Sequence, residues 1–145
     1  MEIDIVHNRF IIDIYGLSAR ANRQDYTGTA FRLSASMWDI VKTQTLKNKG
    51  MNIWVYDPAD MVFAGVELSE PPPVDTGLEH RRLDLPRYAR YKHIGSYQML
   101  KQAGLNMRTA LKNRGLEATL PYVEIYGHWT KDESRLETEL LLSIL

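Results

Sequence analysis

A glutamate flanked by strand-forming residues is the part of this chain best suited to do chemistry. In Val123-Glu124-Ile125-Tyr126 the side chains alternate, so Glu124 and Tyr126 share one face while Val123 and Ile125 take the other, expected to be the helix side. Ile53-Trp54-Val55-Tyr56 repeats the pattern, making Trp54 the counterpart of Glu124 and Tyr56 that of Tyr126. By parity, Phe63 and Gly65 are expected on the same open face, with Tyr88 beside them. A carboxylate among aromatic rings is costly to ionise because desolvation disfavours its charge. An organic cation offsets that cost, each cation–π contact adding about 0.5 to 2 kcal/mol. The plainer alternative is a solvent-facing strand glutamate beside ordinary sheet-forming aromatics. Arg90 and Lys92 share the strand parity of Tyr88, and an Arg90–Glu124 ion pair would remove the preference for cations. Trp129, in the connection Gly127 to Arg135, is expected as a lid over the cleft, the alternative being a surface patch. Trp38 belongs either to the core or to the cleft floor.

Other chemistries find little support. The four histidines, His7, His80, His93 and His128, show no i, i+4 pairing and no carboxylate at ligand spacing, so no metal and no cofactor is expected. His93 reads instead as a stabiliser of the turn into the second helix. There is no Gly-x-Ser-x-Gly elbow, phosphate loop or dinucleotide fingerprint. The run His80-Arg81-Arg82 and Arg87-Tyr88-Ala89-Arg90-Tyr91-Lys92 mixes cations with aromatics as a nucleic-acid platform does. With 18 Lys+Arg against 18 Asp+Glu, however, no summed positive field draws the chain to phosphate backbones or anionic membranes. A charged strand edge protected from aggregation is the simpler reading of that run.

These residues need a scaffold, and 145 residues suffice for one domain with its own core. With no cysteine, a disulfide framework and a thiolate zinc site are excluded. Leu46-Lys47-Asn48-Lys49-Gly50 recurs as Leu111-Lys112-Asn113-Arg114-Gly115, each expected to end a helix on a glycine cap, over about Thr29 to Lys49 and Ser96 to Arg114. Strand-like runs precede each helix, Phe10 to Leu17 and Arg87 to His93, and a strand pair follows each. The first pair turns at Asp57-Pro58-Ala59-Asp60; the second spans Tyr122 to Tyr126 and Leu136 to Leu145. The chain therefore reads as an α+β fold of duplicated βαββ units with pseudo-two-fold symmetry. Two helices are expected on one face of an antiparallel sheet and a ligand cleft on the other. The pseudo-repeats cover about 1–70 and 80–145, joined by a Pro-rich linker, 71–79, within a single domain spanning 1–145. The apolar Leu140 to Leu145 is either an internal strand or an edge that pairs two copies, so monomer and homodimer both stay open. It is far too short to span a bilayer, no charged and apolar leader opens the chain, and a cytoplasmic location is expected.

Leu85-Pro86-Arg87-Tyr88-Ala89-Arg90-Tyr91-Lys92-His93-Ile94-Gly95-Ser96-Tyr97, followed by a helix and Pro121-Tyr122-Val123-Glu124-Ile125-Tyr126, resembles the GyrI-like (gyrase-inhibitor-like) effector-binding domain. That domain is attached to several AraC-type and MerR-type multidrug regulators of bacteria. The first half agrees more loosely, through Gly16 to Arg20, Trp38 and Phe63-Ala64-Gly65-Val66-Glu67. Ser96 stands where the family usually has proline and can serve as an N-cap. The resemblance implies a duplicated βαββ fold whose cleft binds lipophilic, often cationic, aromatic compounds, with Glu124 as the acidic anchor. No helix-turn-helix precedes the domain, so a freestanding effector-binding module is expected, with no direct contact to nucleic acid. Some standalone relatives are hydrolases that open strained genotoxins and some inhibit gyrase. An enzyme using Glu124 and a gyrase-binding protein are therefore the alternatives.

Overall fold

The two helices end by the same device, which fixes where each half turns back into the sheet. In a computed structural model describing all residues 1–145, α1 runs Tyr26–Thr43 and α2 runs Leu100–Asn113. After α2, Gly115 takes a left-handed conformation (φ +71°) and the Leu116 N–H donates to the Leu111 carbonyl, a Schellman cap. After α1 the equivalent position is Thr45 (φ +52°), with the Leu46 N–H donating to the Val41 carbonyl. The first helix thus stops before the expected Lys49 and Gly50. Leu46 packs on the core cluster that holds Val41 as Leu116 packs on the one that holds Leu111, so the structural equivalent of Leu116 is Leu46 and the five-residue echo falls out of phase. At the N-terminal ends, Asp25 accepts from the Gly28 N–H, and Ser96 accepts from the Gln98 N–H ahead of α2.

Eight antiparallel strands form one sheet: β1 (Asp4–Val6), β2 (Phe10–Arg20), β3 (Ile53–Tyr56), β4 (Met61–Val66), β5 (Glu79–Leu85), β6 (Tyr88–Ile94), β7 (Ala118–Tyr126) and β8 (Glu137–Ile144). Their spatial order is β1-β6-β8-β7-β3-β4-β2-β5, symmetric about the central β3–β7 pair. The fold is α+β, with two helices on an antiparallel sheet as expected. β1 and β5 extend the βαββ plan, and each pairs with the opposite half: Asp4 with Arg90, and Tyr15 with His80. β8 is internal, paired to β6 and β7, so Leu140 to Ile144 offers no free edge. No helix is long and apolar enough to cross a membrane.

The sheet curls, and its two faces bury different cores. On the helix face, Leu100, Ala103, Met107 and Leu111 of α2 pack on Leu140 and Leu142, while Ala30 of α1 packs with Trp54, Val62 and Ala64. The other face closes on itself around Ile14, Val55, Phe63, Leu83, Tyr88, Val123 and Leu141. Phe10 of β2 and Tyr88 of β6, with four strands between them in the sheet, bring their ring centres to 6.0 Å across that concavity. The cleft expected on this helix-free face does not exist there, because curling fills the face with its own apolar side chains. Close approach of β2 and β4 needs glycine: Gly16 and Gly65 are register partners, and a Cβ at Gly16 would stand 2.1 Å from the Ala64 carbonyl oxygen.

Candidate functional site

The cleft opens on the helix face, in the gap between α1 and α2, with the central strand pair as its floor; its volume is about 1140 Å³. The floor presents Asn52, just ahead of β3, then Trp54 and Tyr56 along β3; along β7 it presents Tyr126, Glu124 and Tyr122. Antiparallel register sets Trp54 opposite Glu124 and Tyr56 opposite Tyr122, while the Tyr126 N–H donates to the Asn52 carbonyl. The equivalent residues Trp54 and Glu124 therefore meet at the pseudo-two-fold axis and differ in type, while their equivalent neighbours Tyr56 and Tyr126 flank it and are alike.

Glu124 is 7% exposed and ends in a cage of three phenols. The Tyr126 and Tyr56 hydroxyls donate to Oε1 at 2.8 and 3.2 Å, and the Tyr122 hydroxyl donates to Oε2 at 3.0 Å. No Lys, Arg or His nitrogen lies within 4.0 Å of the carboxylate. Burial pushes the Glu124 carboxyl above the usual glutamate range, and the hydrogen bonds from Tyr126, Tyr122 and Tyr56 oppose that rise without cancelling it. Burial and then the neighbouring carboxylate hold all three phenols well above the ordinary tyrosine value, so they stay protonated donors. Three of the carboxylate's roughly four acceptor positions are thus taken by the protein.

The rings pack around this carboxylate as a box. Trp54 and Tyr126 lie 4.8 Å apart and tilted, and Tyr56 and Tyr122 stack at 5.8 Å. The helix side adds Tyr97 edge-on to Tyr126 at 5.4 Å and Phe31 edge-on to Trp54 at 5.1 Å. Tyr26, at the start of α1, donates to Asp60 Oδ1 at 2.7 Å and pins the helix to the β3–β4 turn. Gly104 of α2 faces Tyr122, whose hydroxyl would make an ordinary van der Waals contact, 3.5 Å, with a Cβ there. Charge at the walls is mixed, with Asp25, Asp57 and Asp60 against Lys101 and Arg108 of α2.

Of the residues expected at the site, Glu124, Trp54, Tyr56, Tyr126 and Trp129 line the cleft. Trp129 is 70% exposed at its rim. Phe63 and Tyr88 do not: both point into the opposite core. On β4 the register pairs Ala64 with Trp54 and Phe63 with Val55, so small residues fill the space under the Trp54 ring and the bulky one fills the concavity. The cation near Phe63 is the protein's own Arg81, 5.7 Å above the ring and doubly bonded to Asp57. Arg90 also lies on that other face and pairs with Asp4 at 3.3 Å, leaving Glu124 alone. Trp38 is held at the edge of the helix-face core and donates to Asn52 Oδ1. His93 bonds the Ser96 carbonyl at 3.0 Å, where the chain turns toward α2. Sequence reasoning missed Tyr122, Tyr97, Phe31 and Asn52. Tyr122 shares parity with Glu124 and could have been found; the helix residues could not while the cleft was assigned to the wrong face.

No protein-family model and no curated protein matches the chain. Among solved structures it is similar to the EcmrR C-terminal domain, at 12% identity over 100% of this chain and 99% of that one, TM-score 0.76. It is similar to SAV2435 bound to tetraphenylphosphonium, at 14% identity over 100% and 94% of the two chains, TM-score 0.62. A protein from Listeria innocua described as a hydrolase matches at 12% identity over 99% and 92%, TM-score 0.60. The chain has the fold these proteins share, which is the fold implied by the sequence resemblance to GyrI-like effector domains.

Proposed function

We propose that this protein binds lipophilic aromatic cations in the cleft between its helices, with Glu124 as the counter-charge. The observation that carries the reading is the buried, phenol-caged carboxylate without a basic partner. Each phenol that donates to Glu124 gains electron density, which strengthens its ring as a face for a cation. The cation is then held by several polarised rings and a carboxylate of low hydration, an arrangement that selects charge and leaves shape permissive. The tetraphenylphosphonium complex of SAV2435, a protein of the same fold, supports this ligand class. Titration with tetraphenylphosphonium, followed by tryptophan fluorescence and calorimetry, tests it. Binding to the wild type and a loss of at least tenfold in Glu124→Gln is expected; equal affinity in both would refute the charge-matching role.

A second reading is hydrolysis of a strained electrophile. It is favoured by the raised Glu124 carboxyl, suited to a proton-transfer role, and by the hydrolase among the proteins of this fold. Chromatography of recovered ligand separates the two: unchanged compound supports the binding module, and a hydrolysed product that requires Glu124 supports the enzyme.

A further inference from the structure

Asn52 stands at the end of the floor beyond Trp54, and its carboxamide orientation is dictated from behind. Oδ1 accepts from the Ser34 hydroxyl at 2.9 Å and from the Trp38 indole Nε1 at 2.6 Å. An indole N–H can only donate, so turning the amide over would set two donors against each other. The Nδ2 group is therefore directed away from Trp38, and it has no acceptor in the protein. It is not sealed in either, since the fully buried side-chain nitrogens without partners are Trp54 Nε1 and Arg87 Nε. Asn52 lines the cleft, so its amide hydrogens meet cleft solvent. The Trp54 indole N–H also lacks an acceptor, but it is buried and does not reach the cleft. Asn52 thus presents an open donor at this end of the floor, while the acceptor positions of Glu124 are almost filled by phenols.

Resting on the cation-binding reading above, we infer that the ligand also carries a neutral hydrogen-bond acceptor, a carbonyl or ether oxygen, which Asn52 recognises. Asn52 is then the specificity-determining residue, and Ser34 and Trp38 are positioning residues that hold its amide with the donor side outward. Asn52 immediately precedes β3, two residues before Trp54, and Glu124 is opposite Trp54. The acceptor thus lies roughly 7 Å along the strand from the cationic centre.

Two phosphonium cations of equal charge and nearly equal shape test this: (para-acetylphenyl)triphenylphosphonium, whose carbonyl oxygen lies about 7 Å from phosphorus by ordinary bond lengths, and its para-ethylphenyl analogue. The wild type is expected to bind the ketone about fivefold more tightly, the worth of one net hydrogen bond. In Asn52→Asp one oxygen keeps the bonds to Ser34 and Trp38 while the other replaces the donor, so the preference is expected to vanish or invert. Trp38→Phe frees the amide to turn over, and the preference is expected to shrink with little change in the affinity for the ethyl compound. Equal affinities in the wild type, both dependent on Glu124, overturn the role of Asn52 and leave the cation reading intact, as does a preference that persists in Asn52→Asp. Absence of binding by either cation, or full binding by both to Glu124→Gln, overturns the cation reading and this inference with it.

Discussion

Trp54 and Glu124 face each other directly across the β3–β7 ladder, on the axis that relates the two halves of the chain. Equivalent positions in a duplicated fold have become an aromatic wall and a carboxylate. A symmetric pair of glutamates there would repel, and a symmetric pair of tryptophans would carry no charge. The asymmetry puts one negative charge at the centre of an otherwise neutral floor.

Cation affinity is expected to fall as pH drops through the Glu124 carboxyl. Because burial raises that carboxyl, the midpoint of the loss should lie above the 4.5 of an ordinary glutamate, and binding below it should release a proton. Tetraphenylphosphonium titrations across pH, by calorimetry in buffers of different ionisation enthalpy, measure both. A flat profile in the wild type contradicts the expectation, and Glu124→Gln should be flat.

Removing a phenol donor should move that midpoint further up. Tyr126 makes the strongest of the three opposing hydrogen bonds, then Tyr122, then Tyr56. The expected order of upward shift is therefore Tyr126→Phe, Tyr122→Phe, Tyr56→Phe. The Glu124 side-chain carboxyl carbon, followed by NMR through a pH titration, reads the shifts without any ligand. Three midpoints indistinguishable from that of the wild type would mean the cage does not stabilise the charge.

The same carboxyl makes the fold pH-sensitive in a direction opposite to the usual acidic residue. Its value is raised by folding, so its contribution to stability is full below the unfolded value and is lost as pH rises through the folded value. Glu124→Gln is consequently expected to melt higher than the wild type at neutral pH, with the difference closing toward pH 4.5. Thermal unfolding at several pH values tests the sign. A variant that melts lower at neutral pH would indicate that the three phenols more than repay the burial of charge.

The two faces of the sheet should separate in mutagenesis. Phe63→Leu removes volume from the concave core and should cost about 1 to 2 kcal/mol of stability, with cation affinity nearly unchanged. Trp54→Leu should weaken cations by about tenfold, through the lost ring and its contact with Tyr126. Loss of cation binding in folded Phe63→Leu would place Phe63 back in the site.

Gly16→Ala should destabilise by about 2 kcal/mol or more, because its methyl would meet the Ala64 carbonyl and pry β4 from β2. Thermal melting checks it, and an unchanged midpoint would mean the strands shift freely.

Much of the fold was legible because it rests on local signals. The Glu124–Tyr126 and Trp54–Tyr56 alternation, the Asp57 to Asp60 turn and the duplicated helix-then-hairpin order all follow from spacing within a few residues. β5 was legible in part, since His80 to Arg82 read as a charged strand edge, and the alternation of Arg81, Leu83 and Leu85 with Arg82 and Asp84 carries the strand on to Leu85. Parity says which residues share a face and not which face the helices cover. That choice is made by the curl of the sheet, a long-range property in which Phe10 meets Tyr88 across four intervening strands. Assigning the helices to the side of Val123 reversed the cleft and carried Phe63 and Tyr88 with it. Glu124, Trp54, Tyr56 and Tyr126 survived the reversal because their mutual parity does not depend on it.

The exchange of β1 and β5 between halves turns the sheet into a clasp. Each half finishes its outer edge with a strand that the chain supplies from beside the other half: Asp4–Val6 borders β6, and Glu79–Leu85 borders β2. A cut among Pro71, Pro72 and Pro73 therefore yields two fragments, each holding the other's missing border. Such fragments are expected to reassemble when mixed and to recover the cleft, whose floor needs one strand from each. Fragments that fold independently and never associate would show that the clasp is only a matter of chain routing.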